Sequence, residues 1–233
     1  GRRCNATMTK KKTLLSWSSG KDSAWTLYQL QQDEDIELLG LVTTVNQTHQ
    51  RVAMHAVRVE LLKQQAAAAD LPLYIIPIPS PCSNNEYNRA MSAFFESIEK
   101  LGATHMAFGD LFLEDIRQYR IDNLKPTGIG PLFPLWLKPT DQLAQQMLAA
   151  GLKTHITCID PKQLPASFVG RDFNQQFLDD LPIGVDPCGE NGEFHSFAYA
   201  GPMFKYSIGV LLGEVVERDG FVFADLMPTE EAV

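Results

Sequence analysis

The segment at residues 14–24, LLSWSSGKDSA, gathers groups that suit an anion. Its serines supply hydroxyls, its glycine lets backbone N–H groups turn inward, and its lysine adds a positive charge. A helical pattern follows, whose N-terminus would add N–H donors and a positive dipole end, with the aspartate as cap. We therefore predict a phosphate-holding loop, although a serine-rich helix cap has the same composition. The candidate ligands are Ser16, Ser18, Ser19, Gly20, Lys21, Asp22 and Ser23.

Spacing excludes two familiar phosphate motifs. A Walker A loop needs a glycine five residues before the Gly-Lys pair and a hydroxyl residue directly after the lysine. Leu15 and Asp22 occupy those positions. A dinucleotide-binding fingerprint needs three spaced glycines, and Gly20 is the only one in this segment.

Polar residues also follow other predicted strands. Asp110, after the fourth strand, could hold magnesium or a substrate amine, and Arg117 could bind a phosphate or carboxylate. His55 and Arg58 are three apart and so share a helical face. A charged, solvated helix face would explain Arg117 equally well, and for the isolated His–Arg pair it is the favoured interpretation.

The segment DPCGENGEFHSFAYAGPMF, residues 186–204, is the richest outside the loop. Glu190, Glu193 and His195 lie in and just after a tight turn that contains two glycines. Carboxylates presented in this way could bind a cation or an amine, or take part in a proton transfer. A polar hairpin turn is the alternative.

Composition narrows the classes of protein. The chain has 233 residues, a formal net charge of -8, 45% hydrophobic and 21% charged residues. These values are typical of a globular protein and disfavour a nucleic-acid or membrane-surface binder. No apolar run reaches the roughly 18 residues of a membrane span, and no signal peptide is visible. Met8 is a candidate natural start, which would make residues 1–7 an added remnant. The four cysteines lack metal-site spacing, so we expect reduced thiols and a cytoplasmic protein.

Strand and helix patterns alternate over the first half. This alternation predicts an α/β fold, with a parallel sheet, helices on both faces, and ligands at the carboxyl ends of the strands. The predicted strands are residues 13–17, 36–45, 73–78 and 104–108, and the predicted helices are residues 22–32, 52–69, 84–101 and 112–124. Pro77 predicts a strand end or a sheet edge for the third strand.

After residue 124 the pattern changes. Residues 125–139, KPTGIGPLFPLWLKP, are predicted to be an irregular crossover. We then expect a helix capped by Thr140, a strand at 153–159, a strand at 194–200 and a hairpin within 207–223. The predicted organisation is a tail (1–12), a nucleotide-binding domain (13–124) and a smaller α+β C-terminal domain (125–233) for the acceptor substrate.

The motifs together resemble a known family. SSGKDS looks like the PP-loop of N-type ATP pyrophosphatases, usually S-G-G-x-D-S, with Ser19 in place of the first Gly. MHAVR at 54–58, GD at 109–110 with downstream arginines, PLW at 134–136 and CGENGEFHS at 188–196 resemble the diphthine–ammonia ligase family within that superfamily. Asn191, His195 and Ser196 depart from the family pattern in the last motif. The resemblance covers nearly the whole chain and implies a Rossmann-like sheet of the HUP type.

The resemblance implies an ATP-dependent ligase. A substrate carboxylate would be adenylated, with release of pyrophosphate, and ammonia would displace AMP to form an amide. The loop would hold pyrophosphate, Thr43 and Thr44 would meet adenine or ribose, and Asp22 or Asp110 would bind Mg²⁺. The implied catalytic residues are Lys21, Asp110, Glu190 and Glu193. The implied acceptor residues are His55, Arg58, Arg117, Cys188, Gly189, Glu190, Asn191, Gly192, Glu193 and His195.

Other functions remain open from the residues alone. The expected partners are ATP, a small or protein-borne carboxylate and ammonium, without a membrane or nucleic acid, in a possible homo-oligomer. A PP-loop tRNA-modifying enzyme is one alternative, which the acidic charge and the lack of a paired catalytic cysteine disfavour. A non-catalytic adenine-nucleotide sensor is the other. A bare sensor would not need the glycine-flanked carboxylates of residues 188–196, here called the carboxylate turn.

Overall fold

The computed structural model describes residues 9–46, 51–52 and 57–229. Its strands are β1 (Lys11–Ser16), β2 (Ile36–Asn46), β3 (Arg51–Val52), β4 (Leu73–Ile78), β5 (His105–Ala107), β6 (Gly130–Leu132), β7 (Lys153–Ile159), β8 (Phe194–Ala200), β9 (Val210–Arg218) and β10 (Phe221–Pro228). Its α-helices are α1 (Lys21–Gln32), α2 (Val59–Ala68), α3 (Asn84–Ser97), α4 (Glu114–Leu124), α5 (Thr140–Ala149) and α6 (Gln175–Asp180). Short 3₁₀ turns cover Glu99–Leu101, Lys125–Thr127 and Ala166–Phe168.

Five parallel strands form the first sheet, in the order β4, β2, β1, β5, β6. The short β3 pairs antiparallel with the end of β2. Pro77 lies in β4, which pairs only with β2 among the described strands, as its sequence predicts. Because parallel strands end at the same edge, the chain leaves β1 and β5 side by side.

Two apolar cores cover the two faces of this sheet. Leu14 and Met106 face a cluster that contains residues of α3 and the end of α4. Leu15 and Ala107 face the opposite way, into a cluster with α1 and α2. The alternation along each strand therefore buries both faces, as the predicted α/β class requires.

The second sheet is antiparallel, in the order β8, β7, β10, β9. Phe194 and Phe197 of β8, Phe177 of α6 and Met147 of α5 belong to the same apolar cluster as α1 and α2. One continuous core therefore joins the second sheet to one face of the first. The α/β class with a smaller α+β C-terminal region is confirmed.

Several predicted bounds were wrong. Helix α2 begins at Val59 rather than residue 52, because residues 51–52 form strand β3, paired with the end of β2, and Arg58 is extended. Residues 130–132 form strand β6, whereas the Gly and Pro content predicted irregular chain. Thr140 does not cap α5, because Pro139 is the N-cap and the Thr140 hydroxyl bonds elsewhere.

The domain boundary after residue 124 stays a prediction, although the first sheet itself extends to Leu132. Residues 1–8 and His55 lie outside the described residues. Among the helices of the described chain, none combines the length and apolarity needed to cross a membrane.

Candidate active site

A cleft of about 640 Å³ lies where the carboxyl ends of β1 and β5 face the second sheet. It brings together most of the predicted site residues from segments that are far apart in the chain. These are Ser16, Ser18, Gly20, Lys21, Asp22, Ser23, Asp110, Cys188, Gly189, Glu190, Asn191, Gly192 and His195. The phosphate-loop motif and the carboxylate turn are therefore two walls of one cavity, large enough for a nucleotide.

Ser19 is the residue that shapes the loop. Its φ is +71°, in the left-handed region that glycine adopts most easily, and its side chain is fully buried. Its carbonyl accepts hydrogen bonds from Gln65 Nε2 at 3.0 Å and from Ala198 N at 2.9 Å. Its Oγ has no hydrogen-bond partner within the described residues. Ser19 therefore contributes its backbone to the loop, and its hydroxyl does not line the cleft.

Gly20 is the N-cap of α1 and has no side chain with which to cap the first turn. The predicted cap, Asp22, lies instead within the first turn. A Cβ at Gly20 would come within 3.1 Å of the Ser196 carbonyl, so glycine permits this approach of the second sheet. The N-terminus of α1 faces the cleft and suits an anion, although its Lys21 N–H is already bonded to Ser196 Oγ.

The other loop serines bond to one another. Ser23 Oγ accepts from Ser18 N at 3.1 Å and donates to the Ser16 carbonyl at 3.4 Å. Ser18 Oγ lies 2.8 Å from Ser23 Oγ. These bonds close the loop around the first turn of α1. The two hydroxyls remain in the cleft wall, where either could donate to a bound anion by turning its single O–H away from its present acceptor.

Lys21 is a buried cation that connects the two walls. Its Nζ donates to the carbonyl oxygen of Cys188 and lies 3.2 Å from Asp22 Oδ1, while its backbone N donates to Ser196 Oγ at 3.1 Å. Burial opposes its charge, but Asp22, together with the side chains of Cys188 and Glu190, more than offsets this and holds the pKa of Lys21 above its ordinary value. Lys21 is therefore protonated at neutral pH.

The carboxylate turn is organised by Asp186. Its Oδ2 accepts the backbone N–H groups of Cys188 and Glu190, both at 3.1 Å, and its Oδ1 accepts from Thr140 Oγ1 at 2.6 Å. Glu193 is buried and its Oε2 accepts from Asp186 N at 2.6 Å. Glu193, a predicted catalytic residue, thus faces its own turn and does not line the cleft.

Glu190 is the carboxylate that the turn presents. Its Oε1 accepts from Leu111 N at 3.2 Å, across the cleft from the turn. Burial, with the nearby Asp22 carboxylate, raises the pKa of Glu190 to about 7. A carboxyl group with that pKa can accept or release a proton at neutral pH.

His195 stands close to Lys21. Burial, together with the Lys21 charge, lowers the pKa of His195 to about 4. Its imidazole is therefore neutral at pH 7 and adds no positive charge to the cleft.

Asp22 and Asp110 could hold a divalent cation. Burial raises the pKa of Asp22, Lys21 opposes this shift without cancelling it, and the carboxylates of Asp186 and Asp110 add to it. This crowding of carboxylates would be relieved by a cation, and Mg²⁺ in nucleotide sites takes one or two carboxylates plus phosphate oxygens. The pair fits such a role, although no group of three or more acidic, His or Cys residues within the described chain forms a complete metal cage.

Some predicted site residues lie away from the cleft lining. Arg58 pairs with Asp225 at 2.7 Å and donates to the Leu226 carbonyl at 3.0 Å. Arg117 stacks on Phe133, at 5.1 Å from the ring centroid, and on Trp136. Thr43 and Thr44 lie near the carboxyl end of β2, and neither is among the described residues that line the cleft.

The structure adds residues that the sequence analysis did not include among the candidate site residues. Ser196 binds the start of α1, Arg120 pairs with Asp110 at 3.3 Å, and Asp160 and Phe221 line the second-sheet side of the cleft. Ser196 lies in the motif at residues 188–196, so the family resemblance could have indicated it as a site residue. Asp160 follows β7 and Phe221 follows a turn, and no local pattern marks either as part of a site.

Comparison with known proteins identifies the family of this chain. The family model for the diphthamide synthase N-terminal domain matches residues 11–127, and the model for its C-terminal domain matches residues 139–224. The chain is 27% identical to a diphthine–ammonia ligase of Bos taurus and 26% to that of Homo sapiens, over 89% of this chain and 85% of each relative. A Rattus norvegicus diphthine–ammonia ligase is 30% identical over 48% of this chain and 44% of its own length. The two matched domains carry the two walls of the cleft, and the chain belongs to the diphthamide synthase family.

Proposed function

We propose that this protein is an ATP-dependent ligase of the diphthine–ammonia ligase type, which amidates a carboxylate through an acyl-adenylate. One observation carries the proposal. The loop that suits pyrophosphate and the turn that presents Glu190 line the same cleft, and Lys21 bonds to both. An enzyme that joins ATP cleavage to acyl transfer needs this adjacency, because the adenylate forms where the two substrates meet.

The proposed reaction has two steps. A carboxylate oxygen of the acceptor attacks the α-phosphorus of ATP, and the bond to the bridging oxygen breaks to release pyrophosphate. Ammonia then attacks the acyl carbon, AMP leaves with the carboxylate oxygen, and an amide remains. The open N-terminus of α1, the loop hydroxyls and Lys21 stabilise the negative charge that develops on pyrophosphate.

Glu190 serves the second step in this proposal. Ammonium must lose a proton before its nitrogen can attack, and the amide nitrogen must lose another as AMP leaves. A carboxylate with a pKa of about 7 in the cleft wall can accept a proton at neutral pH. Asp22 and Asp110 would hold Mg²⁺, which supplies further neutralisation of phosphate charge.

The proposal also extends to the identity of the acceptor. The relatives are named for diphthine, and we propose diphthine or a related carboxylate as the acceptor here, with free ammonium as the nitrogen source. We also infer a cytoplasmic location, which the free thiols of Cys82, Cys158 and Cys188 support.

The products test the proposal. Incubation with ATP, Mg²⁺, ammonium and candidate carboxylates should yield AMP and pyrophosphate in equal amounts, together with an amide. Glu190→Gln should retain ATP binding and lose amide formation, with Glu193→Gln as the comparison because Glu193 faces its own turn. ADP as the product would contradict adenylation, and ATP binding without any turnover would favour the sensor alternative.

A further inference from the structure

Gln65 is a buried polar residue that contacts three separate parts of the site's framework. It lies in α2 and is fully buried among apolar neighbours. Its Oε1 accepts from Trp17 Nε1 at 2.8 Å, and its Nε2 donates to the Ser19 carbonyl at 3.0 Å and the Ala198 carbonyl at 2.8 Å. All the polar atoms of the amide are therefore engaged.

The Trp17 bond fixes the orientation of the amide. An indole N–H only donates, so the oxygen of Gln65 must face Trp17 and its NH₂ group must face the two carbonyls. Flipping the amide would place two donors together and leave the Ser19 and Ala198 carbonyls opposite an acceptor. The side chain therefore has one satisfied orientation.

This orientation bears on the loop through the peptide between Ser19 and Gly20. In a trans peptide the carbonyl and the following N–H point in opposite directions. The Ser19 carbonyl points inward to Gln65 Nε2 and Ala198 N, so the Gly20 N–H points the other way, on the side where Gly20 lines the cleft. Left-handed Ser19 is the residue that turns the chain into this arrangement.

We propose that Gln65 is a positioning residue for the anion-binding loop: it holds the Ser19 carbonyl inward and thereby keeps the Gly20 N–H directed at phosphate. The inference rests on the proposed use of ATP. It predicts an effect on phosphate affinity that is separate from the effect on stability, since Gln65 lies behind the loop and touches no part of the cleft.

The test compares variants in binding rather than turnover. Gln65→Met keeps the length of the side chain and removes the donor. Its affinity for Mg²⁺–pyrophosphate and Mg²⁺–ATP, measured by titration calorimetry at a temperature where the variant is folded, should fall by about tenfold or more. AMP lacks the β and γ phosphates, and its affinity should change less than about twofold. Gln64→Met, a partly exposed neighbour on the same helix, is the matched control and should bind all three like the wild type.

Gln65→Glu provides a second measurement that does not depend on the methionine variant folding. An ionised carboxylate cannot donate to the Ser19 carbonyl, whereas its protonated form can. The ratio of variant to wild-type Kd for Mg²⁺–pyrophosphate should therefore fall as the pH is lowered from 8 to 6. A ratio that stays constant with pH would overturn the inference.

Two outcomes separate this inference from the proposed function. If the wild type binds Mg²⁺–ATP and Gln65→Met binds pyrophosphate equally well, or loses AMP and pyrophosphate to the same extent, Gln65 has no positioning role and the ligase proposal stands. If the wild type binds neither Mg²⁺–ATP nor pyrophosphate, both are overturned.

Discussion

Ser19 shows how a single backbone angle can matter more than a side chain. In the resembling motif this place belongs to glycine, and here serine adopts the same left-handed conformation with φ of +71°. A non-glycine residue in that region is strained by roughly 1–2 kcal/mol. The Ser19 hydroxyl is buried without a partner in the described residues, which adds a desolvation cost.

Ser19→Gly should therefore stabilise the protein. We expect the free energy of unfolding to rise by about 1 kcal/mol, because relief of strain and removal of the buried hydroxyl exceed the entropy that glycine adds to the unfolded chain. Urea denaturation followed by tryptophan fluorescence measures this change, and affinity for Mg²⁺–ATP should be preserved.

Ser18→Gly is the contrasting variant. Ser18 has no positive φ, and its Oγ lies 2.8 Å from Ser23 Oγ, so its loss should destabilise the protein. If both glycine variants lower the free energy of unfolding equally, backbone strain does not distinguish Ser19 from Ser18.

Glu190 makes the stability of the protein depend on pH. Its pKa is raised to about 7 in the fold, above the 4.5 of a free glutamate. A raised carboxyl pKa favours folding below the unfolded pKa, and this contribution is lost as the pH rises through about 7. Glu190→Gln, which carries no charge, should thus be more stable than wild type at pH 8 by about 1–2 kcal/mol, and the difference should shrink towards pH 5.

Amide formation should follow the opposite trend in the wild type, rising with pH through about 7 as Glu190 ionises. Paired denaturation curves and initial rates at pH 5.5, 6.5, 7.5 and 8.5 would reveal both trends. A stability difference that does not vary with pH would show that Glu190 is not buried and crowded as described.

At the scale of elements, helix α2 is anchored by polar contacts at two points. Gln65 bonds to the loop, and Arg58, at the N-cap of α2, pairs with Asp225 of β10 and donates to the next carbonyl. The helix thereby connects the loop at residues 16–23 of the first sheet to the second sheet. The predicted assignment of Arg58 to the acceptor site remains open, and the observed contacts suggest a structural role.

Arg58→Met distinguishes the two roles. If Arg58 joins α2 to β10, the variant should lose about 1 kcal/mol of unfolding free energy, since the ion pair is half-exposed and one backbone bond is lost. Its amide formation rate and KM for the carboxylate should stay within about twofold of wild type. Arg89→Met, an exposed arginine on α3, controls for the loss of a positive charge. A raised KM for the carboxylate with unchanged stability would return Arg58 to the acceptor site.

Local sequence patterns predicted those helices and strands whose own residues favour that secondary structure. The helix from Lys21, strand β2 and strand β4 carry strong apolar periodicity and appear nearly where expected. Strand β6 could not be predicted, because GPL has poor strand propensity and is a strand only through its pairing with β5. Gln65 could not be predicted either, because one glutamine in an amphipathic helix looks like an exposed residue until its three partners are known.

At the scale of the whole molecule, the second sheet holds the loop at residues 16–23 in place. Ala198 N bonds to the Ser19 carbonyl, Ser196 Oγ accepts from Lys21 N, and the Cys188 carbonyl accepts from the Lys21 side chain. The same segment, residues 188–196, forms the opposite wall of the cleft. Order in the loop and order in the turn are therefore coupled through shared hydrogen bonds.

This coupling predicts a distinctive footprint for nucleotide binding. Mg²⁺–ATP should slow amide hydrogen exchange in residues 16–23 and also in residues 188–198, because stabilising the loop stabilises the bonds that join it to β8. Exchange in β9, an edge strand whose side chains are mostly exposed, should not change and serves as the internal control. Ser196→Ala should weaken the protection of residues 188–198 while protection of the loop partly remains. Protection confined to residues 16–23 in the wild type would show instead that the two walls respond to ATP independently.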